Sequence, residues 1–351
     1  MNRRLIWWGR SEVGYSRNRM VRRLFADLGW DICDFRPRVP ALGDAEAHLR
    51  GLPPAHLIWV PCFRQRDLAA ALRFGRWAKL PVIADPLISA WDKQVFERGK
   101  FAAGSAAAER LRRWESRLLR ACDAVMVDTP AHARFFAEAL DIPAAKLHLL
   151  WVGAEQPLFT PRDQIVDHPA VEALFFGSFI SLHGVDTVIA AARLTQHLSV
   201  RWTLLGTGPE RAAAEEQAAG LGNVRFEDPV PYPDLPERIA SADIVLGIFG
   251  TSGKAHRVIP NKVFQGMACG RPVVTGAGSG YPEACLHDGS GLVFVTSGDA
   301  SALASAICRL AEQRPERTRL GAAAAETFSQ TFGRSVVEGQ LRSGLNAVGL
   351  T

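Results

Sequence analysis

The chain has 351 residues, 48% apolar and 22% charged, which is too long for one ordinary core and suits two globular domains. No window of 18 or more uncharged apolar residues occurs, so a transmembrane helix is not expected. The net charge of +5 divides unevenly: residues 1–150 hold 25 Lys/Arg against 16 Asp/Glu (+9), and the remainder holds 16 against 20 (−4). A basic half suggests an anionic partner: a phospholipid surface, a phosphate-bearing acceptor or nucleic acid. Solvated helix faces in RNRMVRRL and ERLRRWESRLLR explain the same charge equally well, because Arg and Leu both recur there at helical spacing.

The start, MNRRLIWWGR, reads as a first strand rather than a secretion signal, since its apolar run is short and no small-residue cleavage site follows. Six cysteines (Cys33, Cys62, Cys122, Cys269, Cys285, Cys308) are scattered without a C-x-x-C pair. They fit buried thiols in a reducing compartment, and a cytoplasmic protein is expected.

In chain order, the first half offers the strands RLIWW, WDICDF, HLIWVPC, PVIADPL, AVMVDT and KLHLLWV. Helical spacing occupies Ser16–Leu28, Arg66–Ala78, Gly104–Arg120 and Pro130–Leu140 between them. Strands apolar on both faces, alternating with helices, indicate a parallel sheet covered on both sides. The pattern lapses in VGAEQPLFTPRDQIVDHP, whose prolines and polar residues mark residues 155–170 as a linker. It resumes in VEALFFG, VRWTLLG, NVRFE, DIVLGIF, PVVTG and LVFV. The expectation is an α/β protein of two doubly wound, Rossmann-like domains, residues 1–154 and 171–332, facing across a ligand-binding cleft. Residues 333–351 have helical spacing and are expected to pack back on the first domain.

The candidate chemistry concentrates in the second half. FFGSFISLHGVDTVIAAARL is a strand, a glycine-containing loop and a helix, so Gly177, Ser178, His183 and Gly184 form a candidate diphosphate cradle at a helix N-terminus. A structural turn is the competing account of that loop, and for His183 a capping role stands beside donor contact. LLGTGPER adds a second glycine turn at Gly206 and Gly208. GTSGKAHRVIPNKVFQGMACGRPVVTG then places Lys254, Arg257 and Lys262 in a loop that opens a helix near Pro260 and ends at Cys269-Gly270. Three cations beside a helix start favour anion binding over a solvated basic loop.

G-S-F-x-x-x-H-G, LLGTGPER, ASADIVLGIF and PNKVFQGMACGRPVV together resemble the donor-binding domain of glycosyltransferase family 4, most strongly over Val171–Ala311. A fainter likeness runs through GRSEVGYSRNRMVRRLFADLGWDI and WVGAE. The resemblance implies a GT-B fold and sugar transfer from a nucleotide-sugar donor with retention of configuration. Where the family commonly has Arg and Lys on the diphosphate, this chain has Ser178 and His183; where it has Glu, seven residues, Glu, this chain has Arg257 and Gln265. Gln265 can still hydrogen-bond ribose hydroxyls, whereas Arg257 accepts no hydrogen bond and instead offers phosphate charge, with Lys254 or Lys262. Asn261 completes the expected donor-binding set.

In the first domain, the resemblance implies that the Gly14 backbone approaches the donor phosphate or the acceptor, with Tyr15 and Ser16 nearby. Arg10, Arg17 and Arg19 are either acceptor contacts or exposed helix charges. Asp85 ends the strand VIAD, where related enzymes place a His or Asp against the transferred sugar; a loop-capping carboxylate is the competing account. Asp92 and Arg98 are acceptor-side candidates in the following loop, and Asp85 with His183 are the catalytic candidates. His183 in neutral form could donate one hydrogen bond to the sugar phosphate. No D-x-D and no metal-spaced cluster occurs, so neither a metal nor a cofactor is expected.

The expected activity is therefore metal-independent, retaining glycosyl transfer to an unidentified acceptor: a glycan, a lipid-linked molecule or a small molecule. A catalytically silent nucleotide-sugar-binding subunit or a nucleotide-sugar epimerase are the alternatives. Peripheral contact with the inner membrane surface through the basic half is a further expectation, compatible with Trp7, Trp8 and Trp30, although buried strands account for these too. Nucleic acid is not an expected partner, since no aromatic-interleaved basic tract is present.

Overall fold

The computed structural model describes residues 3–162 and 169–350. The chain divides into two compact units, Met1–Val152 with Val337–Thr351, and Gly153–Val336. The break falls at Gly153. Part of the expected linker belongs to the second unit, where Phe159 is fully buried and meets the Tyr232 ring edge-on at 5.5 Å. Residues 163–168 of that linker lie outside the described residues.

The first unit runs β1 (Arg3–Trp8), α1 (Ser16–Asp27), β2 (Trp30–Phe35), α2 (Gly43–Arg50), β3 (Leu57–Val60), α3 (Leu68–Ala78), β4 (Val82–Ala84), a single turn α4 (Ala90–Asp92), α5 (Ala106–Ala121), β5 (Ala124–Val127), α6 (Pro130–Leu140) and β6 (Leu147–Leu149). Its six strands are all parallel in the order β2-β1-β3-β4-β5-β6. The continuous apolar runs exist because both faces are covered, and the order reverses between β1 and β3. Trp7, Trp8, Trp59 and Phe25 are buried in this unit, so Trp7 and Trp8, with Trp30 at 5% exposure, are core residues rather than surface contacts.

In the second unit come β7 (Val171–Phe176), α7 (Val185–Leu194), β8 (Val200–Leu205), α8 (Arg211–Gln217), β9 (Val224–Glu227), α9 (Leu235–Ala240), β10 (Ile244–Leu246), α10 (Gly253–Arg257), α11 (Asn261–Ala268), β11 (Val273–Gly276), β12 (Leu292–Val295), α12 (Ala300–Glu312) and α13 (Arg314–Phe332). The sheet is again six-stranded and parallel, ordered β12-β11-β10-β7-β8-β9, and its direction reverses between β7 and β10. Ligands of doubly wound sheets bind beyond the strand carboxyl ends at such a reversal. The last helix, α14 (Arg334–Asn346), contributes its residues from Val337 onward to the first unit, where Trp151 N donates to Gln340 Oε1 at 2.9 Å.

One buried ion pair ties several elements of the first unit together. Arg17 on α1 and Asp85 beyond β4 are both 0% exposed. Arg17 Nε donates to Asp85 Oδ2 and Nη2 to Oδ1, each at 2.9 Å, while Nη1 donates to the carbonyls of Leu150 at 2.7 Å and Trp151 at 2.8 Å. Every charge-bearing edge of the guanidinium is thereby matched, which offsets the desolvation of both ions. Arg17 is thus an internal clamp and not an exposed helix charge, because its position on α1 faces the strand ends instead of solvent. Asp85→Ala should destabilise the chain by about 3–5 kcal/mol, since it strands a buried cation. Arg17→Met combined with Asp85→Leu should recover much of that loss in urea unfolding; a double variant as unstable as Asp85→Ala would refute the assignment.

Candidate active site

In the second unit, three loops meet at contacts that only glycine allows. Gly177 follows β7 with φ +133° and Gly206 follows β8 with φ +135°. A Cβ on Gly206 would lie 2.0 Å from the Gly177 carbonyl oxygen, and one on Gly208 would lie 2.5 Å from Phe179 N. The loop after β10 closes on the other side: a Cβ on Gly184 would meet the Phe249 carbonyl carbon at 2.6 Å, and one on Gly250 the Leu182 oxygen at 2.4 Å. Backbone hydrogen bonds from Phe179 N to Thr207 O and from Phe249 N to His183 O, both 3.0 Å, join the same three loops. With Gly184 at φ +62° the chain turns directly into α7, so the helix's free N–H groups open onto the turn.

Lys262 reaches this loop cluster from α11. That helix seats on the sheet through Val263, Phe264 and Met267, all 0% exposed, and Gly266 lets it approach Val245. Lys262, the second residue of α11, is 4% exposed, and its Nζ takes no hydrogen bond. The ammonium position lies 3.8 Å from the Phe175 ring centroid and 3.6 Å from where a Gly177 Cβ would be; His183 Cε1 is also 3.6 Å from that point. Burial pushes the Lys262 amine well below its ordinary range. The amine has a ring face beside it and no carboxylate bonded to it.

The half-buried His183 ring meets the Phe175 ring at 5.6 Å, and its Nδ1 is hydrogen-bonded to the Ser178 carbonyl. Burial pushes its pKa well below the usual histidine value, with the charges of Lys262 and Lys254 adding to the effect and the Ser178 bond opposing it. A carbonyl only accepts, so Nδ1 carries the proton and the neutral ring offers Nε2 as an acceptor. That corrects the expectation that neutral His183 donates to a phosphate: its single N–H is spent on Ser178.

The structure brings Gly177, exposed Ser178, His183, Gly184 and Lys262 together in the second unit, and the charge of Lys254 acts on His183. Lys254 is 9% exposed, and the segment expected to be loop is the helical turn α10, capped by Ser252 Oγ accepting from Ala255 N at 3.2 Å. Arg257 and Asn261 are half-buried on α10 and α11, and Gln265 is buried one helical turn beyond Lys262.

In the first unit, Gly14 lies in the exposed turn before α1. The Tyr15 ring meets Phe63 edge-on at 5.1 Å, and burial raises its hydroxyl pKa. Asp92 is buried at the end of α4, and Arg98 is exposed. Asp85 is enclosed by the Arg17 clamp, which gives it a structural bond in place of the presented carboxylate expected of a catalytic group. Arg10 Nε donates to the Pro37 carbonyl at 2.9 Å. Two constellations went unnoticed in the sequence. Buried Glu115 accepts from Ser89 Oγ (2.7 Å), Ala90 N (2.6 Å) and Trp91 N (2.8 Å), pinning the loop that carries Asp92 and Arg98. Buried His132 hydrogen-bonds Asp128 at the carboxyl end of β5, and the only sequence signal there is the Thr129-Pro130 helix start.

Two six-stranded parallel doubly wound units are the architecture of the GT-B fold. Residues 170–313 match the family described as "Glycosyl transferases group 1". The chain is 27% identical over 246 residues to the D-inositol 3-phosphate glycosyltransferase of Thermomonospora curvata, covering 62% of this chain and 56% of that protein. It is 27% identical over 264 residues to the lipopolysaccharide core biosynthesis glycosyltransferase LpsE of Rhizobium meliloti, covering 72% and 73%. The first of these matches thus spans little more than half of the relative. Among solved structures, Anabaena Alr3699/HepE in complex with UDP and glucose superposes with TM-score 0.71 at 17% identity, covering 99% of this chain and 100% of that one. Sucrose-phosphate synthase from Thermosynechococcus elongatus gives 0.75 at 19%, covering 98% and 99%. The family match and the relatives support the glycosyltransferase group 1 family, and the structures share the fold.

Lys262→Met should raise the stability of the ligand-free chain by about 1–3 kcal/mol, because it replaces a buried amine with an apolar side chain of similar volume. The folded pKa of Lys262 lies below its unfolded value of 10.5, so the unfolded chain holds more protons and wild-type stability rises with pH up to that value. The advantage of the Met variant should therefore shrink as pH rises toward 10. Urea midpoints between pH 7 and pH 10 measure it, and a constant gap would contradict the burial argument.

Proposed function

We propose that the chain is a glycosyltransferase whose second unit holds a nucleoside-diphosphate sugar and whose first unit receives the acceptor. The observation that carries this reading is the buried Lys262 Nζ beside the Gly177 backbone and the N-terminus of α7, at the reversal of a doubly wound sheet. An anion suits this arrangement: it would supply the counter-charge for the ammonium and accept from the helix N–H groups. The group 1 family match over residues 170–313 and the UDP-bound structural relative are consistent with a nucleoside diphosphate as that anion.

In this mechanism the bond from the sugar's anomeric carbon to the β-phosphate oxygen breaks as the acceptor oxygen bonds to the same carbon. The acceptor's proton passes to the departing phosphate. Attack on the face that the phosphate leaves retains the configuration. Lys262, Lys254 and the α7 N-terminus stabilise the charge that develops on the diphosphate. His183 Nε2, as an acceptor, orients a sugar hydroxyl, and Gln265 binds the ribose. Fixed cations supply the electrostatic stabilisation, so we assign neither a metal nor an organic cofactor to the reaction. The free cysteines support work in a reducing, cytoplasmic compartment.

The test is a thermal-shift panel of UDP, GDP, ADP and dTDP and their sugars. One of these diphosphates at 100 times its Kd should add about 2.7 kcal/mol of stability. The shift should vanish in Lys262→Ala, with the variant's fold checked by circular dichroism. Transfer should survive EDTA, and NMR should show the donor's anomeric configuration kept in the product. A panel with no stabilising diphosphate would sink the reading; loss of turnover on chelation, or an inverted product, would remove the metal-free or the retaining part of it.

A further inference from the structure

The first unit contains a cavity of about 680 Å³ whose wall is built by three segments. The loop after β3 brings Phe63 and Arg66; the loop after β4 brings Lys93, Arg98 and Lys100; α5 brings Arg110 and Trp114. All five charged residues of the lining are cations. Some arginines of this unit are paired, as Arg73 is with Asp44 and Arg22 with Asp34. Around the cavity, Arg66, Arg98, Lys100 and Arg110 are exposed and form no ion pair among the described residues. Like charges gathered at one concave surface raise its positive potential, which favours an anion there.

The remaining wall is mostly apolar, with Gln65 and Gln94 as its polar members. Phe63, Ile88, Phe101, Leu111 and Trp114 line it, and Phe63 and the neighbouring Phe96 are 40% and 54% exposed. The backbone is held in uncommon shapes to make this surface. Phe63 and Leu87 have φ of +64° and +62°, which side-chain-bearing residues seldom adopt, and residues 93–97 form a wide π-helical turn. Gln65 Nε2 donates to the Ile88 carbonyl at 2.7 Å and Glu115 pins Ser89 to Trp91, so the two loops are fixed against each other and against α5. A solvated surface loop requires none of this construction.

We propose that this cavity binds a phosphate-bearing amphiphile, with the anionic head among Arg66, Arg98, Lys100 and Arg110 and the apolar part along Phe63, Phe101 and Trp114. It deepens the acceptor half of the function proposed above and rests on that reading only for the word acceptor. The binding itself stands on the charge, the apolar wall and the rigid frame. The head's chemistry is common to a lipid in a bilayer and to a free phosphorylated amphiphile.

The experiment is calorimetric titration of the full chain with monomeric dihexanoyl phosphatidic acid. Inorganic phosphate serves as the head alone and dihexanoylglycerol as the tail alone. Phosphatidate should bind at least tenfold tighter than either, and Arg98→Ala with Arg110→Ala should weaken it at least tenfold, while Arg342→Ala leaves it unchanged. Equal binding of the neutral lipid, or wild-type affinity in the double variant, overturns the proposal. Sedimentation with phosphatidate vesicles, lost in the double variant and absent with phosphatidylcholine vesicles, assigns a bilayer lipid; binding of the monomer alone assigns a free amphiphile. The nucleotide shift should be intact in the double variant, and phosphatidate binding intact in Lys262→Ala. Should no nucleotide bind while phosphatidate does, the transferase reading falls and the cavity assignment stands.

Discussion

The candidate site depends on the absence of four side chains. Hydrogen atoms at Gly184, Gly206, Gly208 and Gly250 let the loops after β7, β8 and β10 touch backbone to backbone at the carboxyl edge of the second sheet. Any Cβ at these places would overlap main-chain atoms that cannot yield, so the contacts are a hard steric constraint and not a preference. Once these loops are joined, the positions of Gly177, His183 and the start of α7 are determined. Lys262, carried by a helix packed on the same sheet, then has one direction in which to extend. Glycines thus fix where the loops beside Lys262 meet.

The two units solve the same topological problem with different materials. In the second, loop is locked to loop by close backbone approach. In the first, a polar clamp does the locking: Arg17 gathers Asp85 and two carbonyls, and Glu115 gathers a hydroxyl and two amides. Burial raises the pKa of Glu115, and the three donors it accepts from work against that rise. Both devices leave their surroundings rigid, which is the condition for holding a reacting group in one place.

Most of the fold was legible along the chain. All twelve strands fall in segments read as strands; the central ones are apolar runs because both their faces are buried, while the edge strands β2, β6 and β9 carry polar residues. Helices such as Pro130–Leu140 announced themselves through period and caps. The side-chain roles were far less legible where partners are distant. Arg17 sits in RNRMVRR with the spacing of a solvated face, and only folding brings it to Asp85, 68 residues away. Glu115 lies in an arginine-rich amphipathic helix, and nothing local foretells that residues 89–91 fold back on it. The glycine turns drew attention to Gly177 and His183, yet which ring nitrogen holds the proton depends on the Ser178 carbonyl, a backbone feature with no residue code. The identity of the residue was readable; its hydrogen-bonding sense was not.

The buried amine of Lys262 has a consequence for how the pocket responds to its surroundings. Its Nζ has no hydrogen-bonding partner within the protein, so burial disfavours the charged form. An anion that bound beside this amine and charged it would take up a proton as it arrived, so its affinity would rise toward acid without any histidine being involved.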